Sequence, residues 1–433
     1  MLIAMRMLFV STHFPSDLRL DVQGTYKRMA MFIDAIKLVL KKSRSAKAQL
    51  DVLFYVPPEI DTSPSAIATA EKALSEHWDL PLKLFLCPEF VYTEPLSKWQ
   101  QQAPGMLNFF QQRDLVRTSQ PLQIQAFETC LSRKPAAVFI HRLRSMCPAL
   151  LTRQPLPPIF FDLDDIEHIA FLRDIRQPPT RLVTSLYYLQ LPALWWGERQ
   201  AMRLAKQTYV CSQQDRAYLT NQGIAGVVTI PNAVKLPQPQ PLTAKPTLLL
   251  LGAYHYYPNI NAANFLIEEV FPQVREQVPE ARLIIAGKQP ENIRSYQRGI
   301  PGVEFTGFVD DLEALYRRSR VVCCPILSGG GTRVKLVEAA AYGKPMVSTS
   351  IGAEGLEFQD GREFLRRDDP RAFADACVSL LQNDEQCERL GAAARMTAIK
   401  HYDRANIVHL IQQSMQQVLK VPERSKRVVS HSS

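Results

Sequence analysis

Short, continuous runs of apolar residues alternate with helical segments along the chain, and this alternation restricts the folds that are possible. A strand that is apolar at every position has both faces buried, which is typical of parallel sheets. Parallel strands need crossover connections, and these are usually helices. The runs that we predict to be strands are 7–11, 50–56, 136–141, 159–163, 208–211 and 227–230, then 247–251, 282–286, 303–306, 321–325 and 345–348. The sequence therefore predicts an α/β protein with parallel sheets.

A proline-rich segment separates the two series of strands. Residues 237–246 contain four prolines and no apolar periodicity, which is typical of a linker. Because 433 residues also exceed one ordinary core, we predict two Rossmann-like, doubly wound domains that face each other across a cleft, at 1–240 and 241–402. We further expect a helix at 403–420 that returns to the first domain, and a disordered tail at 421–433.

Charge and cysteine content limit the classes of partner. A net charge of +9 favours nucleotides, anionic lipid head groups or nucleic acid. The sequence has no zinc-finger spacing and no aromatic RNA-binding signature, so we expect no nucleic-acid partner. No apolar run reaches the roughly 18 residues of a membrane span, and the eight cysteines include no C-x-x-C pair. We therefore predict a cytoplasmic protein with reduced thiols.

A glycine-rich loop after the strand at 321–325 is the clearest chemical signal. Thr332 is expected to cap the helix that follows, and Gly343 to end it. Arg333 and Lys335 would lie in the first helical turn, where a cation opposes the helix dipole unless an anion is bound. Loop amides, a helix N-terminus and two cations together predict a diphosphate site. The loop reads Ser328-Gly329-Gly330-Gly331-Thr332-Arg333-Val334-Lys335.

The glycine-rich loop differs from the two common phosphate-binding motifs. The loop is not a P-loop, because no Gly-Lys-Ser/Thr closes it, and no G-x-G-x-x-G motif opens a domain. A flexible surface loop with solvated cations remains the structural alternative. Glu338 lies on the same helical face as Lys335, so its carboxylate is placed to accept hydrogen bonds from ribose hydroxyls.

The segment 307–356, GFVDDLEALYRRSRVVCCPILSGGGTRVKLVEAAAYGKPMVSTSIGAEGL, resembles the donor site of retaining GT-B glycosyltransferases of family four (group 1 type). The resemblance continues more weakly through the second half. It reaches the first half at Gly24, at AVFIHRLR (137–144) and at DLDD (162–165). It implies a hexosyltransferase-type enzyme of polysaccharide or glycoconjugate biosynthesis. The implied donor substrate is a UDP- or GDP-sugar, the acceptor is a glycan or lipid-linked hydroxyl, and no cofactor or metal is needed.

The resemblance also implies roles for individual residues. Val309 would flank the nucleobase, Glu338 would bind the ribose, and Arg333 with Lys335 would bind the diphosphate and act in catalysis. His141 would contact the transferred sugar, with a core histidine at a strand end as the alternative. The remaining donor-binding positions would be Gly329, Gly330, Gly331, Thr332, Gly352, Glu354 and Gly355, and the acceptor-side positions Gly24, Asp164 and Asp165.

The chain departs from the family pattern at two places. Many members carry two glutamates separated by seven residues; Glu338 matches the second, but Gly330 occupies the position of the first. The usual Arg and Lys after the first strand of the donor domain are replaced by GAYHYYPN (252–259). A GT-B sugar-nucleotide epimerase and a non-catalytic nucleotide-sugar-binding partner are therefore kept as alternatives.

Three further features have two interpretations each. Asp162-Leu163-Asp164 resembles the D-x-D metal motif of the other glycosyltransferase fold, but it lies far in sequence from the loop, so we expect a cleft wall or an acceptor contact instead. The basic segment 36–47 predicts either a peripheral contact with an anionic inner membrane face or a solvated helix end. Trp195-Trp196 is either an interfacial anchor or core packing.

Overall fold

The computed structural model of the protein describes residues 5–15, 24–42, 48–92, 100, 103–112, 114–176 and 186–419. Two sheets contain its strands. The first sheet consists of β1 (Arg6–Ser11), β2 (Gln49–Val56), β3 (Leu82–Pro88), β4 (Ala137–His141), β5 (Ile159–Asp164), β6 (Gln207–Val210) and β7 (Val227–Thr229). The second consists of β8 (Thr247–Leu251), β9 (Arg282–Ala286), β10 (Val303–Gly307), β11 (Val321–Cys324), β12 (Met346–Ser348) and β13 (Leu365–Arg366).

The two sheets share one strand arrangement, with one additional strand at the end of the first, and every pairing in them is parallel. The first runs β3-β2-β1-β4-β5-β6-β7 and the second β10-β9-β8-β11-β12-β13. The strand order reverses between β1 and β4 in one sheet and between β8 and β11 in the other. Open α/β sheets bind ligands at such a switch point, outside the carboxyl ends of the strands. The predicted fold class of two Rossmann-like parallel-sheet domains is confirmed.

Helices connect and cover the strands on both faces of each sheet. None of the described helices combines the length and the apolar composition that crossing a membrane requires. In chain order the described α-helices are α1 (Gly24–Lys42), α2 (Pro64–Trp78), α3 (Pro104–Leu107), α4 (Pro121–Ser132), α5 (Leu143–Leu151), α6 (Glu167–Arg176), α7 (Leu191–Leu204), α8 (Gln213–Asn221), α9 (Tyr257–Phe265), α10 (Phe271–Gln277), α11 (Leu312–Arg318), α12 (Val334–Ala341), α13 (Pro370–Gln382), α14 (Asp384–Tyr402) and α15 (Arg404–Leu419).

The continuous apolar runs of the sequence are explained by this two-sided burial. Along β1, Met7 and Phe9 pack into the core on one face of the sheet, while Leu8 and Val10 pack into the core on the other. Alternate residues of a strand point to opposite faces, so a strand covered on both faces is apolar at most of its positions. All eight cysteines are buried and free of disulfide bonds.

Helix α15 packs against the first domain. The Arg404 guanidinium donates to Asp34 Oδ2 at 2.7 Å, and the amide of Val234 donates to the carbonyl of Tyr402 at 3.0 Å. Met415 is buried in the same cluster as residues of β1 and α1. The chain therefore crosses between the sheets twice. The tail predicted at 421–433 lies outside the described residues.

The apolar stripe of the basic segment 36–47 is not available to a membrane. Ile36, Val39 and Leu40 are buried in the core of the first domain. Lys37 donates to Asp79 Oδ2 at 2.7 Å. The interpretation of this segment as a membrane contact was therefore wrong for its described part, 36–42, because the apolar stripe packs on the sheet. Residues 43–47 lie outside the described residues.

Candidate functional site

The carboxyl ends of the two sheets face each other across a cleft of about 600 Å³. The first domain contributes residues after β1, β4 and β5, and the second contributes residues after β8, β9 and β10 together with the glycine-rich loop. The predicted site residues that line this cleft are Gly24, Asp164, Asp165, Val309, Gly330, Gly331, Thr332, Arg333, Lys335 and Glu338. The structure thus brings residues from distant parts of the sequence to one cavity.

The glycine-rich loop has a conformation that its sequence requires. Gly329 has φ +96° and Gly331 has φ +69°, a region that residues with a Cβ rarely adopt. The guanidinium of Arg333 donates to the carbonyl of Gly330, and its Nη2 donates to the carbonyl of Ser328 at 3.3 Å. Arg333 therefore ties the loop to the start of α12.

The start of α12 differs from the prediction. Helix α12 begins at Val334, so Arg333 and not Thr332 occupies the N-cap, and no side chain caps it. The Thr332 hydroxyl is instead engaged by the first domain, because Asn232 Nδ2 donates to Thr332 Oγ1 at 3.0 Å. The N-cap prediction for Thr332 was wrong for this reason. Gly343, with φ +73° just after the helix, ends it as predicted.

The two cations of the loop have neutral partners. The Lys335 ammonium donates to Asn259 Oδ1 at 2.9 Å, and Arg333 bonds only to backbone carbonyls within the described chain. Burial is the main cause that lowers the pKa of Lys335, and the charge of Arg333 adds to it. Since neither side chain is paired with a carboxylate of the described residues, this side of the cleft favours an anion.

Glu338 and Val309 lie on the second domain's side of the cleft. The Glu338 carboxylate forms an ion pair with Lys27 of α1, and its side chain is 13% exposed. Val309 follows Phe308, whose ring has the Lys288 ammonium 4.8 Å from its centroid. The carboxylate predicted to bind ribose is therefore held by a cation of the opposite domain.

Three predicted donor-binding residues lie behind the loop and outside the main cleft. Glu354 forms an ion pair with Arg173 of α6, in which Arg173 Nη2 donates to Glu354 Oε1 at 2.8 Å. Gly355 lies against Ser212, and a Cβ on Gly355 would come within 2.8 Å of the Ser212 Cβ. Glu354 and Gly355 border a small cavity of about 70 Å³, and Gly352 packs under the ends of β11 and β12. Their donor contacts stay predictions.

The D-x-D carboxylates are engaged by arginines. Asp162 is fully buried and accepts from Arg28 Nη2 at 2.6 Å and from its Nε at 3.0 Å. Asp164 accepts from Arg142, and its Oδ1 lies 3.1 Å from Arg28 Nε. Burial opposes ionisation, but the charges of Arg142 and Arg28 outweigh it and lower the pKa of Asp164. In the described chain Asp164, Asp165 and Cys211 hold ligand atoms within 4.8 Å of one another.

A metal ion at that cluster would meet two obstacles. The guanidinium groups of Arg28 and Arg142 already neutralise Asp164 and would repel a cation. Burial raises the pKa of the Cys211 thiol, which would have to lose its proton to become a good ligand. The predicted metal independence of the site stays a prediction.

Two histidines line the cleft, His13 from the first domain and His255 from the second, and no role was predicted for either from the sequence. His141 is fully buried behind the cleft, with its Nδ1 2.9 Å from Ser11 Oγ and its ring 5.4 Å from that of His13. Burial, and then the charges of Arg142 and Arg144, lower the pKa of His13 to about 3. The cleft therefore contains a neutral imidazole. Its position directly after β1, beside the switch point, was the available signal.

Two residues other than glycine have a strained, left-handed backbone conformation at the edge of the cleft. Arg142 has φ +69° and Asp164 has φ +63°, directly after β4 and at the end of β5, and their side chains form an ion pair. Such conformations cost on the order of 1–3 kcal/mol each and cluster at functional sites. This strain supports the location of the site at these strand ends.

Comparisons with known proteins agree with this geometry. Residues 245–383 match the family model described as Glycosyl transferases group 1. Over 163 residues the chain is 34% identical to the phosphatidyl-myo-inositol mannosyltransferase of Mycobacterium leprae (strain TN), which covers 36% of this chain and 42% of that protein. The match thus spans less than half the length of that relative.

Solved structures are similar over almost the whole chain. Sucrose-phosphate synthase from Thermosynechococcus elongatus superposes with a TM-score of 0.66 at 17% identity, over 96% of this chain and 99% of that one. HepE of Anabaena, solved in complex with UDP-glucose, superposes with a TM-score of 0.59 at 14% identity, over 95% and 100%. At these identities the likeness establishes the fold.

Proposed function

Because residues 245–383 form a glycosyl transferases group 1 domain in a chain of GT-B fold, we propose that the protein transfers a sugar from a nucleoside-diphosphate sugar to an acceptor hydroxyl. The donor is a UDP- or GDP-sugar, the acceptor is a glycan or lipid-linked saccharide, and the anomeric configuration is retained, as in family four. The observation that carries the proposal is the pair of cations, Arg333 and Lys335, without carboxylate partners among the described residues, on a glycine-rich loop in the cleft.

The donor would lie along the second domain. Its diphosphate would bind the loop amides, Arg333 and Lys335, and its ribose would bind Glu338. Phe308 and Val309 offer the apolar surface for the base. Binding of UDP-glucose by HepE and the mannosyl transfer named for the mycobacterial relative are consistent with either nucleotide.

Transfer would rely on electrostatic stabilisation of the leaving group. The bond between the anomeric carbon and the phosphate oxygen breaks, and the positive charges of Arg333 and Lys335 stabilise the nucleoside diphosphate that departs. The acceptor oxygen attacks on the same face, and its proton passes to the leaving phosphate. Asp162 and Asp164 are paired with arginines, so neither is a free nucleophile for a covalent intermediate.

The acceptor would approach from the first domain. Gly24 lies so close to α12 that a Cβ on it would stand 3.3 Å from Val334 Cγ2, and His13 lines the same side of the cleft. The neutral ring of His13 can accept a hydrogen bond from an acceptor hydroxyl without adding charge. His141 would support that ring from behind.

A donor screen tests the proposal. The protein is incubated with UDP-glucose, UDP-N-acetylglucosamine and GDP-mannose, with and without EDTA, and products are followed by mass spectrometry and chromatography. We expect at least one donor to bind and to release its nucleoside diphosphate slowly, unaffected by EDTA. Conversion of a donor to its epimer would instead establish the epimerase, and binding without turnover over many acceptors would establish the non-catalytic partner. Loss of turnover in EDTA that manganese restores would contradict metal independence.

The proposal also includes a peripheral membrane contact, which an exposed aromatic face on α7 supports. Trp195 and Trp196 are 40% and 51% exposed, and the Arg199 guanidinium lies 5.4 Å from the Trp195 ring centroid. Arg203 is exposed two turns after Trp196. Tryptophan with arginine is typical of surfaces that insert at anionic membrane interfaces. We therefore assign to this face, and not to 36–42, a peripheral contact of a cytoplasmic enzyme with an anionic membrane that carries the acceptor.

Sedimentation with vesicles checks this assignment. The wild-type protein is expected to co-sediment with phosphatidylglycerol vesicles at low salt and to be released at high salt, since surface charge is screened within about 8 Å at physiological salt. The double variant Trp195→Ala/Trp196→Ala is expected to bind several-fold less. Met396→Ala, which removes a 67% exposed side chain from the second domain, is the matched control. Equal binding of the tryptophan variant, or of neutral vesicles, contradicts the assignment.

A further inference from the structure

The glycine at position 330 is required by the first domain. A Cβ built on Gly330 would lie 3.0 Å from the Cβ of Ala170 on α6, and 3.6 Å from the Cβ of Asp165. A glutamate in this place, as in many relatives of the family that the loop resembles, would have its side chain directed into space that the first domain fills. Position 330 therefore lacks a carboxylate, and the first domain leaves no room for a glutamate side chain there.

The residue that fills this space carries a carboxyl group itself. Asp165 Oδ1 packs directly on Gly331, where a Cβ would come within 1.9 Å of it. The side chain lines the main cleft beside Gly330 and Gly331. Unlike Asp162 and Asp164, its carboxyl oxygens make no hydrogen bond or ion pair with the other described residues. The cleft thus contains one carboxyl group at the loop that the fold itself leaves unengaged within the described chain.

The charge of the Asp165 carboxyl group and its distance from the loop indicate which part of the donor it contacts. An ionised carboxylate repels the diphosphate that the same loop attracts, because both are acceptors and both are anionic. Burial, and then the neighbouring Asp164, raise the pKa of Asp165, which reduces its repulsion of the phosphates. The sugar ring follows the diphosphate by one bond, so it lies next to the loop and offers several hydroxyl groups as donors.

We infer that Asp165 supplies from the first domain the carboxyl group that position 330 lacks, and that it binds hydroxyl groups of the donor sugar. This inference rests on the proposed function and moves Asp165 from the acceptor side to the donor side. It has one structural consequence. The second domain binds the nucleoside diphosphate while the first recognises the sugar, so sugar selectivity depends on closure of the cleft.

Paired binding measurements test the inference. Calorimetric titrations compare UDP with UDP-glucose and GDP with GDP-mannose, for the wild-type protein, Asp165→Asn and Asp165→Ala. A hydrogen bond to a charged group corresponds to about a 10- to 100-fold change in affinity. We expect Asp165→Ala to lose this factor for the nucleotide sugar while the nucleoside diphosphate binds within about threefold of wild type, or more tightly. Glu59→Gln, which neutralises an exposed acid of the first domain outside the cleft lining, is the control.

The outcomes separate this inference from the proposed function. Equal loss of affinity for the nucleoside diphosphate and for its sugar would show a structural role for Asp165 and overturn the inference. A variant with normal donor binding and a raised KM for the acceptor would return Asp165 to the acceptor side and also overturn it. The triple variant Asp165→Ala/Ala170→Gly/Gly330→Glu, which puts the carboxyl group back on the loop, is expected to regain part of the sugar selectivity. A wild-type protein that binds neither UDP nor GDP contradicts the proposed function instead.

Discussion

Arg333→Ala and Lys335→Ala are each expected to weaken binding of the nucleoside diphosphate about 10- to 100-fold. Each cation would donate charge-assisted hydrogen bonds to the diphosphate, at about 1.5–3 kcal/mol per bond, and about 1.4 kcal/mol corresponds to one decade of affinity. In the unliganded protein the same ammonium and guanidinium groups bond only to neutral oxygens of the described chain. Their charge is therefore available to a ligand.

The two variants should differ in stability. Lys335 lies at the second position of α12, where its charge opposes the helix dipole, and its burial disfavours that charge further. Lys335→Ala is thus expected to keep or raise the melting temperature. Arg333→Ala also removes two bonds that hold the loop, so part of its loss of affinity reflects a looser loop.

The control for this experiment is Arg371→Ala. Arg371 occupies the same second position of α13, in the same domain, but is exposed and does not line the cleft. It removes an identical charge from a helix N-terminus without touching the proposed site. Calorimetric titration with UDP and GDP measures the affinities. Wild-type affinity in both loop variants would show that the diphosphate binds elsewhere.

The interior strands, which are buried on both faces, could all be read from the sequence, and the edge strands β7 and β10 were predicted as well. Strand β1 is apolar from Met7 to Val10 and its neighbour β4 from Ala137 to Ile140, whereas the edge strand β3 was not predicted. Exposed Lys83 interrupts β3 and Pro88 ends it, so its pattern is weaker than that of an interior strand. The two-residue strand β13 is too short to leave any periodicity. Burial by neighbours, which makes a strand visible in sequence, is weakest at an edge.

Local sequence signals marked only the contiguous part of the site, whereas Gly24, Asp164 and Asp165, which also line the cleft, were reached through the family resemblance. The loop and α12 carry their own signals of glycine, charge and helix position. The contacts of Thr332 with Asn232 and of Glu338 with Lys27 arise because two domains close on each other, and nothing local in the sequence marks them. His13 had a positional signal that was overlooked, since it follows β1 beside the switch point.

The largest loss of stability is expected from Arg28→Met, which should lower the free energy of unfolding of the first domain by about 3–5 kcal/mol. Arg28 is 2% exposed and pairs with the fully buried Asp162. Its Nη1 also donates to the carbonyl of Ile230 at 2.8 Å and to Asn232 Oδ1 at 3.2 Å. Removal of the guanidinium leaves a buried carboxylate and two acceptors without partners. The double variant Arg28→Met/Asp162→Leu removes both charges and should recover much of the loss, because no uncompensated charge remains.

Urea unfolding followed by tryptophan fluorescence measures this effect in the correct domain, since all four tryptophans of the chain precede residue 240. Lys83→Met, which breaks an ion pair between partly exposed side chains on β3 and α2, is the control, and about 1 kcal/mol or less is expected for it. The same measurement tests whether the D-x-D motif stabilises the fold or binds a cation. If Arg28→Met were as stable as Lys83→Met, Asp162 would not depend on Arg28 for its charge balance, and a cation at the motif would again be the better explanation. A large loss in the single variant with recovery in the double variant would instead establish that Asp162 stabilises the fold through its pair with Arg28, whose guanidinium also donates to Asn232, the residue that bonds Thr332 of the loop.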